Sequence, residues 1–121
     1  MRTVLVSGGS GFIGRYVVEE LLERGYDVSV LDTRYREPAE GATLVLGDIR
    51  DATSVTEAVS HADGVIHLAG VLGTQETIKN QFTAYETNIV GALNVFDAVA
   101  QYEVPAVSIT VGNHFEQNAY S

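Results

Sequence analysis

An apolar run that passes at once into a glycine-rich turn, VLVSGGSGFIG at residues 4–14, constrains the fold of this chain more than any other stretch. Glycine lacks a Cβ and adopts positive φ, so such a turn lets main-chain N–H groups approach an anion closely. A helix that begins directly afterwards points its positive N-terminus at the same anion. The stretch therefore predicts a strand, a nucleotide-phosphate-binding turn and a helix.

The glycines of this turn fit two registers. Gly9, Gly11 and Gly14 form G-x-G-x-x-G, whereas Gly8, Gly11 and Gly14 form G-x-x-G-x-x-G. Apolar residues recur at helical spacing over residues 12–24, so the turn lies between a strand and a helix in either register. This context, rather than the glycines alone, indicates a dinucleotide site.

An acidic residue follows the second apolar run at the distance expected for a ribose-binding side chain. Asp32 ends that run, about 20 residues after the turn. Its charge would repel a 2′-phosphate, which favours NAD over NADP. Arg34 and Arg36 come just after it and are able to serve such a phosphate, so NADP remains the less favoured alternative.

Apolar runs and helical patterns alternate along the rest of the chain, which predicts an α/β fold with a doubly wound parallel sheet in the strand order 3-2-1-4-5. The predicted strands are residues 1–7, 27–32, 42–46, 64–68 and 106–110, and the predicted helices are residues 12–24, 52–61 and 80–102. The connection over residues 33–41 is short for a parallel crossover, so either it is irregular or the third strand lies elsewhere.

The longest predicted helix carries an apolar stripe that we expect to face the sheet. Its members are Tyr85, Ile89, Ala92, Leu93 and Phe96.

Composition excludes several classes of function. The 121 residues suffice for one domain, and a net charge of −9 argues against a nucleic-acid partner. The chain has no cysteine, and its three histidines share no metal-ligand spacing, so we expect no metal. It has neither a long apolar span nor a secretion signal, so we expect no membrane association and a cytoplasmic location.

Several polar residues stand where a ligand would bind. Asp48 follows the third strand, where its carboxylate and the Ile49 N–H suit an adenine, although Gly-Asp also forms ordinary turns. Asn88 falls inside the longest helix, a poor place for asparagine unless its amide has a partner. His67 lies within a strand and is interpreted as a hydrogen-bonded core histidine.

Four stretches, taken in order, resemble motifs of the extended short-chain dehydrogenase/reductase family, and in particular its nucleotide-sugar epimerases and dehydratases. SGGSGFIG at residues 7–14 is similar to TGxxGFIG, which selects the register starting at Gly8, and GDIRD at 47–51 is similar to GDxxD. HLAG at 67–70 is similar to HLAA, and TNIVGA at 87–92 to TNvxGt.

The resemblance covers essentially the whole chain and implies a Rossmann fold whose cofactor is NAD. The implied cofactor-binding residues are Gly8, Gly11, Phe12, Ile13, Gly14, Asp32, Arg34, Asp48, Ile49, Leu68, Ala69, Gly70 and Asn88. A usual family member is two to three times longer. Residues 1–121 are therefore expected to be an NAD(P)-binding domain, the N-terminal part of a longer protein truncated before its substrate-binding region, with a possible homodimer in the full-length protein.

By the same resemblance, the substrate is a nucleotide sugar, oxidised at one carbon by hydride transfer to NAD and then reduced again. Tyr120 would take the hydroxyl proton, and a lysine four positions later would complete the family's YxxxK. In the family, a Ser or Thr that follows the fifth strand polarises the substrate. Thr110 matches that residue best, although a strict alignment places Gly112 there.

Two other functions fit the same residues. An NAD(P)H-dependent ketone reductase of the same superfamily would share the cofactor site. A non-catalytic dinucleotide sensor would keep the glycine turn without the catalytic hydroxyls, and VGN at residues 111–113 supports that alternative.

Overall fold

The computed structural model of the chain describes residues 2–8, 12–33, 38–69 and 81–110, and for Phe12, Ala69, residues 81–88 and Thr110 it describes the backbone alone. The strands are β1 (Thr3–Ser7), β2 (Asp27–Asp32), β3 (Thr43–Leu46), β4 (Gly64–Ala69) and β5 (Ala106–Thr110). The helices are α1 (Phe12–Glu23), α2 (Ala52–Ser60) and α3 (Gln81–Tyr102). No helix in these ranges has both the length and the apolarity needed to cross a membrane.

All strand pairs are parallel, and the sheet order is β3-β2-β1-β4-β5. The predicted doubly wound sheet and its strand order are therefore confirmed. The third strand lies within the predicted residues 42–46, and the described part of the connection before it is not helical. Gly41, at φ 96°, turns the chain into β3, and Ala39 is buried, so an irregular connection is sufficient here.

The central strands of the sheet are covered on both faces, which explains why they are nearly continuous apolar runs. Alternate residues of β1 separate the two core layers, with Val4 and Val6 on one side and Leu5 on the other. The first layer packs against Val18 of α1. The second packs against α2 and α3 through Val55, Val59, Val95 and Ala98.

The structure corrects the predicted inward stripe of the longest helix. Ile89, Leu93 and Phe96 are 61%, 56% and 46% exposed, whereas the side facing the sheet carries Val95 and Ala98. Two apolar stripes share this helix at similar spacing, and periodicity does not say which one faces inward. Small residues on the inner side let the helix approach its neighbours closely, so the bulky stripe lies outside. Ala92 is half-buried, and the side chain of Tyr85 lies outside the described part.

The second helix begins at a side-chain cap. Asp51 has extended backbone geometry, and its carboxylate accepts hydrogen bonds from the Thr53 N–H at 3.1 Å and the Ser54 hydroxyl at 2.9 Å. These bonds satisfy a donor that the first helical turn otherwise leaves unpaired. Asp51 therefore caps α2, and the helix begins at residue 52 as predicted.

Replacing this cap gives a prediction for stability. Asp51→Ala is expected to lower the free energy of unfolding by about 1 kcal/mol, whereas Asp51→Ser, which retains a capping oxygen, should retain most of it. Urea unfolding followed by circular dichroism measures both. Asp97→Ala on the exposed side of α3 is the control and should lose little. Equal stability of the Asp51→Ala variant and the parent would contradict the role of the cap.

Candidate functional site

The turn after β1 requires glycine at its first position. Gly8 has φ 81°, and its N–H donates to the Leu31 carbonyl at 3.4 Å. A Cβ built on it would lie 2.8 Å from the Leu68 carbonyl oxygen. Both the backbone angle and the lack of space exclude a larger side chain. The backbone at the carboxyl end of β1 thus lies close to the β4 backbone at Leu68.

The start of α1 follows the same turn. Gly14 is buried in the first helical turn, and Ile13 beside it is 43% exposed. The backbone of Phe12 begins the helix. Gly9 and Gly11 lie outside the described residues, so the geometry supports the register starting at Gly8 through that residue alone.

The two predicted nucleoside-binding acids lie on neighbouring strand ends. The carbonyl of Asp32, the last residue of β2, accepts a hydrogen bond from the Gly47 N–H at 2.9 Å. This bond ties the end of β2 to the turn that carries Asp48. Thr33 donates from its hydroxyl to the Asp32 carboxylate at 3.5 Å. In an open parallel sheet, ligands bind at this carboxyl edge.

Arg50 holds the carboxylate of Asp48 in a defined orientation. Its Nη2 lies 2.8 Å from Oδ2, its Nε lies 3.2 Å from both carboxylate oxygens, and its backbone N–H donates to Oδ1 at 2.9 Å. The side-chain hydrogen bonds from Arg50, followed by the backbone bond, lower the pKa of Asp48 below its usual value. Asp48 is therefore an anion in the folded chain at neutral pH.

A cavity of about 400 Å³ opens beside this turn. It is lined by Asp48, Arg50, Asp51 and Val90. The first three come from the turn between β3 and α2, and Val90 comes from α3. The turn after β3 and the middle of α3 thus form two walls of the same space.

Directly before the glycine turn lies a buried polar pair. The Ser7 Oγ and the His67 Nδ1 are 2.6 Å apart, and the two residues are 1% and 3% exposed. Burial lowers the pKa of His67, so the ring is neutral at pH 7. The prediction of a hydrogen-bonded core histidine is confirmed. Its Nε2 has no hydrogen-bond partner among the described residues.

The other predicted site residues are described in part or not at all. Leu68 is buried and in contact with Gly8, and Ala69 pairs with Thr110 at the ends of β4 and β5. Asn88 lies in α3, where only its backbone is described. Gly11, Arg34, Gly70 and Tyr120 lie outside the described residues, so their predicted roles stay predictions.

Two residues that sequence reasoning missed contact the turn after β3. The Asn94 side chain donates from Nδ2 to the Ile49 carbonyl at 3.0 Å, and Gly91 packs against the Ile49 side chain. An asparagine inside a helix was the available signal, but the prediction applied it to Asn88 alone. Within the described ranges, no group of three or more side chains is arranged to hold a metal ion.

The fold and the turns at its carboxyl edge define a Rossmann-type α/β domain. The model of the NAD dependent epimerase/dehydratase family matches residues 4–112. The UDP-N-acetyl-alpha-D-glucosaminuronate decarboxylase of Bacillus cytotoxicus is 36% identical over 101 residues, covering 78% of this chain and 32% of that relative. A bifunctional UDP-glucose 4-epimerase and UDP-xylose 4-epimerase of Pisum sativum is 31% identical over 116 residues, covering 82% and 33%.

Solved structures agree with these relatives. The crystal structure of the Thermus thermophilus UDP-glucose 4-epimerase in complex with NAD matches with a TM-score of 0.74 and 34% identity, over 84% of this chain and 35% of that one. The chain belongs to the NAD-dependent epimerase/dehydratase family. This membership confirms the resemblance and the cofactor predicted from the sequence. The chain spans about a third of the length of these relatives.

The buried histidine gives a prediction about pH. In the unfolded chain His67 binds a proton near pH 6.5, and in the folded chain burial lowers its pKa below that value. The free energy of unfolding should therefore fall as the pH drops below about 6.5, because the unfolded state then binds more protons. His67→Asn, which does not titrate, should flatten this slope between about pH 7 and pH 5 in urea unfolding experiments.

The control for this measurement is His61→Asn, because His61 lies exposed on the surface after α2. The slope of the His67→Asn variant is compared with the slope of this exposed variant. An unchanged slope in His67→Asn would show that His67 is not the group that titrates.

Proposed function

We propose that this chain is the NAD-binding portion of a nucleotide-sugar epimerase or dehydratase. The observation that carries the proposal is the convergence of Gly8, Asp32 and Asp48 at the carboxyl edge of one parallel sheet. Family membership and the NAD complex of the Thermus thermophilus epimerase support it.

The residues present fit the cofactor. The cofactor pyrophosphate would lie at the turn after β1, where Gly8 brings the backbone close to β4, and would accept hydrogen bonds from main-chain N–H groups at the start of α1. Asp32 would accept hydrogen bonds from the adenosine ribose, and Asp48 would accept one from the adenine amine. The Ile49 N–H would donate to the adenine ring. The other proposed cofactor contacts are those of Gly11, Phe12, Ile13, Gly14, Arg34, Leu68, Ala69, Gly70 and Asn88.

The cofactor form that suits this edge is NAD. Asp32 carries a negative charge where a 2′-phosphate would lie, so NADP meets repulsion that NAD does not. A net charge of −9 adds no compensating field. The anionic cofactor therefore depends on backbone dipoles and on a few arginines.

NAD, when bound, supplies reversible hydride chemistry at a sugar carbon. Tyr120 would take the proton of the reacting hydroxyl, for which its pKa must fall from about 10 with the help of a neighbouring cation. Thr110 ends β5 at the same sheet edge as Gly8, in register with Ala69, and would polarise that hydroxyl. The nucleotide sugars in the relatives' names support this substrate class.

The full protein is proposed to be a homodimer in the cytoplasm. Ile89, Leu93 and Phe96 form one exposed apolar stripe on α3 at helical spacing. A second copy of the chain carries the same apolar stripe, and packing the two stripes against each other would cover both. Size-exclusion chromatography with light scattering of Leu93→Glu against the parent tests this assembly.

The test of the cofactor proposal compares two acids at opposite ends of one strand. Asp32→Ala should weaken NAD binding about 10-fold or more in isothermal titration calorimetry, because hydrogen bonds to a charged acceptor are lost. The preference for NAD over NADP should shrink in the same variant. Asp27→Ala, at the exposed amino end of β2, is the matched control and should bind NAD like the parent.

Equal NAD affinity of the Asp32→Ala variant and the parent would contradict the proposed ribose contact. For the catalytic part, the full-length protein is incubated with UDP-glucose and the sugar product is analysed. Formation of the 4-epimer or a keto sugar supports the enzyme, a net NADH-dependent reduction of a ketone indicates the reductase, and NAD binding with no turnover indicates the sensor.

A further inference from the structure

We propose that α3 positions the adenine-binding turn through Asn94 and Gly91. The inference rests on the proposed function, because it assumes that Asp48 and Ile49 contact adenine. Neither Asn94 nor Gly91 would touch the cofactor; they act through Ile49. A helix on one face of the sheet would in this way set how tightly the adenosine half of NAD is held.

The first observation is a hydrogen bond between distant parts of the chain. Asn94 Nδ2 donates to the Ile49 carbonyl oxygen at 3.0 Å, and the two residues are 45 positions apart. Asparagine is unfavourable in a helix interior, because its amide competes for backbone hydrogen bonds. Here the half-buried amide spans the gap to another segment. The bond fixes the peptide unit that directly follows Ile49.

The second observation is a close packing contact one turn earlier on the same helix. A Cβ built on Gly91 would lie 2.8, 3.1 and 3.3 Å from the Cγ2, Cγ1 and Cδ1 atoms of Ile49. Gly91 does not have positive φ, so the helix itself does not require glycine there. Glycine costs about 1 kcal/mol relative to alanine inside a helix. The space that the Ile49 side chain needs accounts for a glycine at this position despite that cost.

These two contacts restrain both the side chain and the backbone carbonyl of Ile49. Its side chain rests on Gly91 and its carbonyl is bound by Asn94, which together limit rotation of the residue. Its N–H therefore keeps one direction. On the other side of the turn, the Asp51 N–H donates to the Asp48 carbonyl at 2.9 Å, and Arg50 holds the Asp48 carboxylate.

The cavity shows that α3 also reaches the ligand side of this turn. Val90, next to Gly91, lines the same space as Asp48. A shift of α3 relative to the turn would change both the donor and the acceptor offered to an adenine. A turn that is already rigid before the ligand arrives loses less conformational entropy on binding. Loosening this turn should therefore weaken the binding of ligands that contain adenine and spare the binding of ligands that lack it.

The test measures binding of AMP and of nicotinamide mononucleotide to the chain by NMR titration. Asn94→Ala should raise the Kd of AMP about 3- to 10-fold, in line with the loss of one hydrogen bond, and leave the Kd of nicotinamide mononucleotide unchanged. Asp97→Ala, one turn along the exposed side of α3, is the matched control and should bind both ligands like the parent.

A second set of variants separates positioning from folding. Gly91→Ala should weaken AMP binding, because the new methyl group displaces Ile49. Ile49→Ala removes the three side-chain atoms in that contact but keeps the backbone N–H. The double variant Gly91→Ala with Ile49→Ala should therefore bind AMP more tightly than Gly91→Ala alone. Thermal unfolding is recorded for every variant.

Each outcome decides between the claims. No binding of AMP or NAD to the parent would overturn the proposed function and this inference with it. Binding to the parent that is unchanged in Asn94→Ala and Gly91→Ala would overturn the inference alone. Parallel weakening of both ligands, following the loss of stability, would show a structural role only and also overturn it. Selective loss for AMP with rescue in the double variant supports it.

Discussion

The carboxyl edge of the sheet is shaped by the close approach of the β1 and β4 backbones at Gly8. A glycine at φ 81°, with the Leu68 carbonyl where a Cβ would be, lets β1 end directly beside its neighbour. The helix α1 begins four residues later, at Phe12. Behind this turn, Ser7 and His67 join β1 and β4 by a buried hydrogen bond. In the proposed function, a wider turn would move the backbone expected to bind the phosphates away from the acids on β2 and after β3.

The acidic edge has an electrostatic consequence. Asp32 and Asp48 lie on adjacent strand ends of a chain with a net charge of −9, and the proposed ligand is itself an anion. Arg50 offsets one of these charges by pairing with Asp48, which leaves a carboxylate that is ionised yet partly neutralised. In the proposed function, backbone dipoles at the start of α1 bind the phosphates, since nearby carboxylates repel a diffuse negative charge but do not prevent direct N–H contacts.

Sequence patterns predicted the elements whose signal is local. Continuous apolar runs and the glycine turn were sufficient for the positions of the strands and the start of the first helix, because each depends on residues close in sequence. The prediction of the inward face of α3 was wrong, because the exposed residues Ile89, Leu93 and Phe96 have the same spacing as a core stripe. Asn94 and Arg50 were missed, because their contacts with Ile49 and Asp48 depend on how the turn folds and on a partner 45 positions away.

In the proposed function, the turns after β1, β2 and β3 together hold the adenosine half of NAD. The decisive measurement is a crystal structure of the chain with NAD. The adenine amine is expected on the Asp48 carboxylate, the adenine ring nitrogen on the Ile49 N–H and the ribose hydroxyls on Asp32. An adenine bound away from the Asp48 turn, or a ribose that does not contact Asp32, would contradict it.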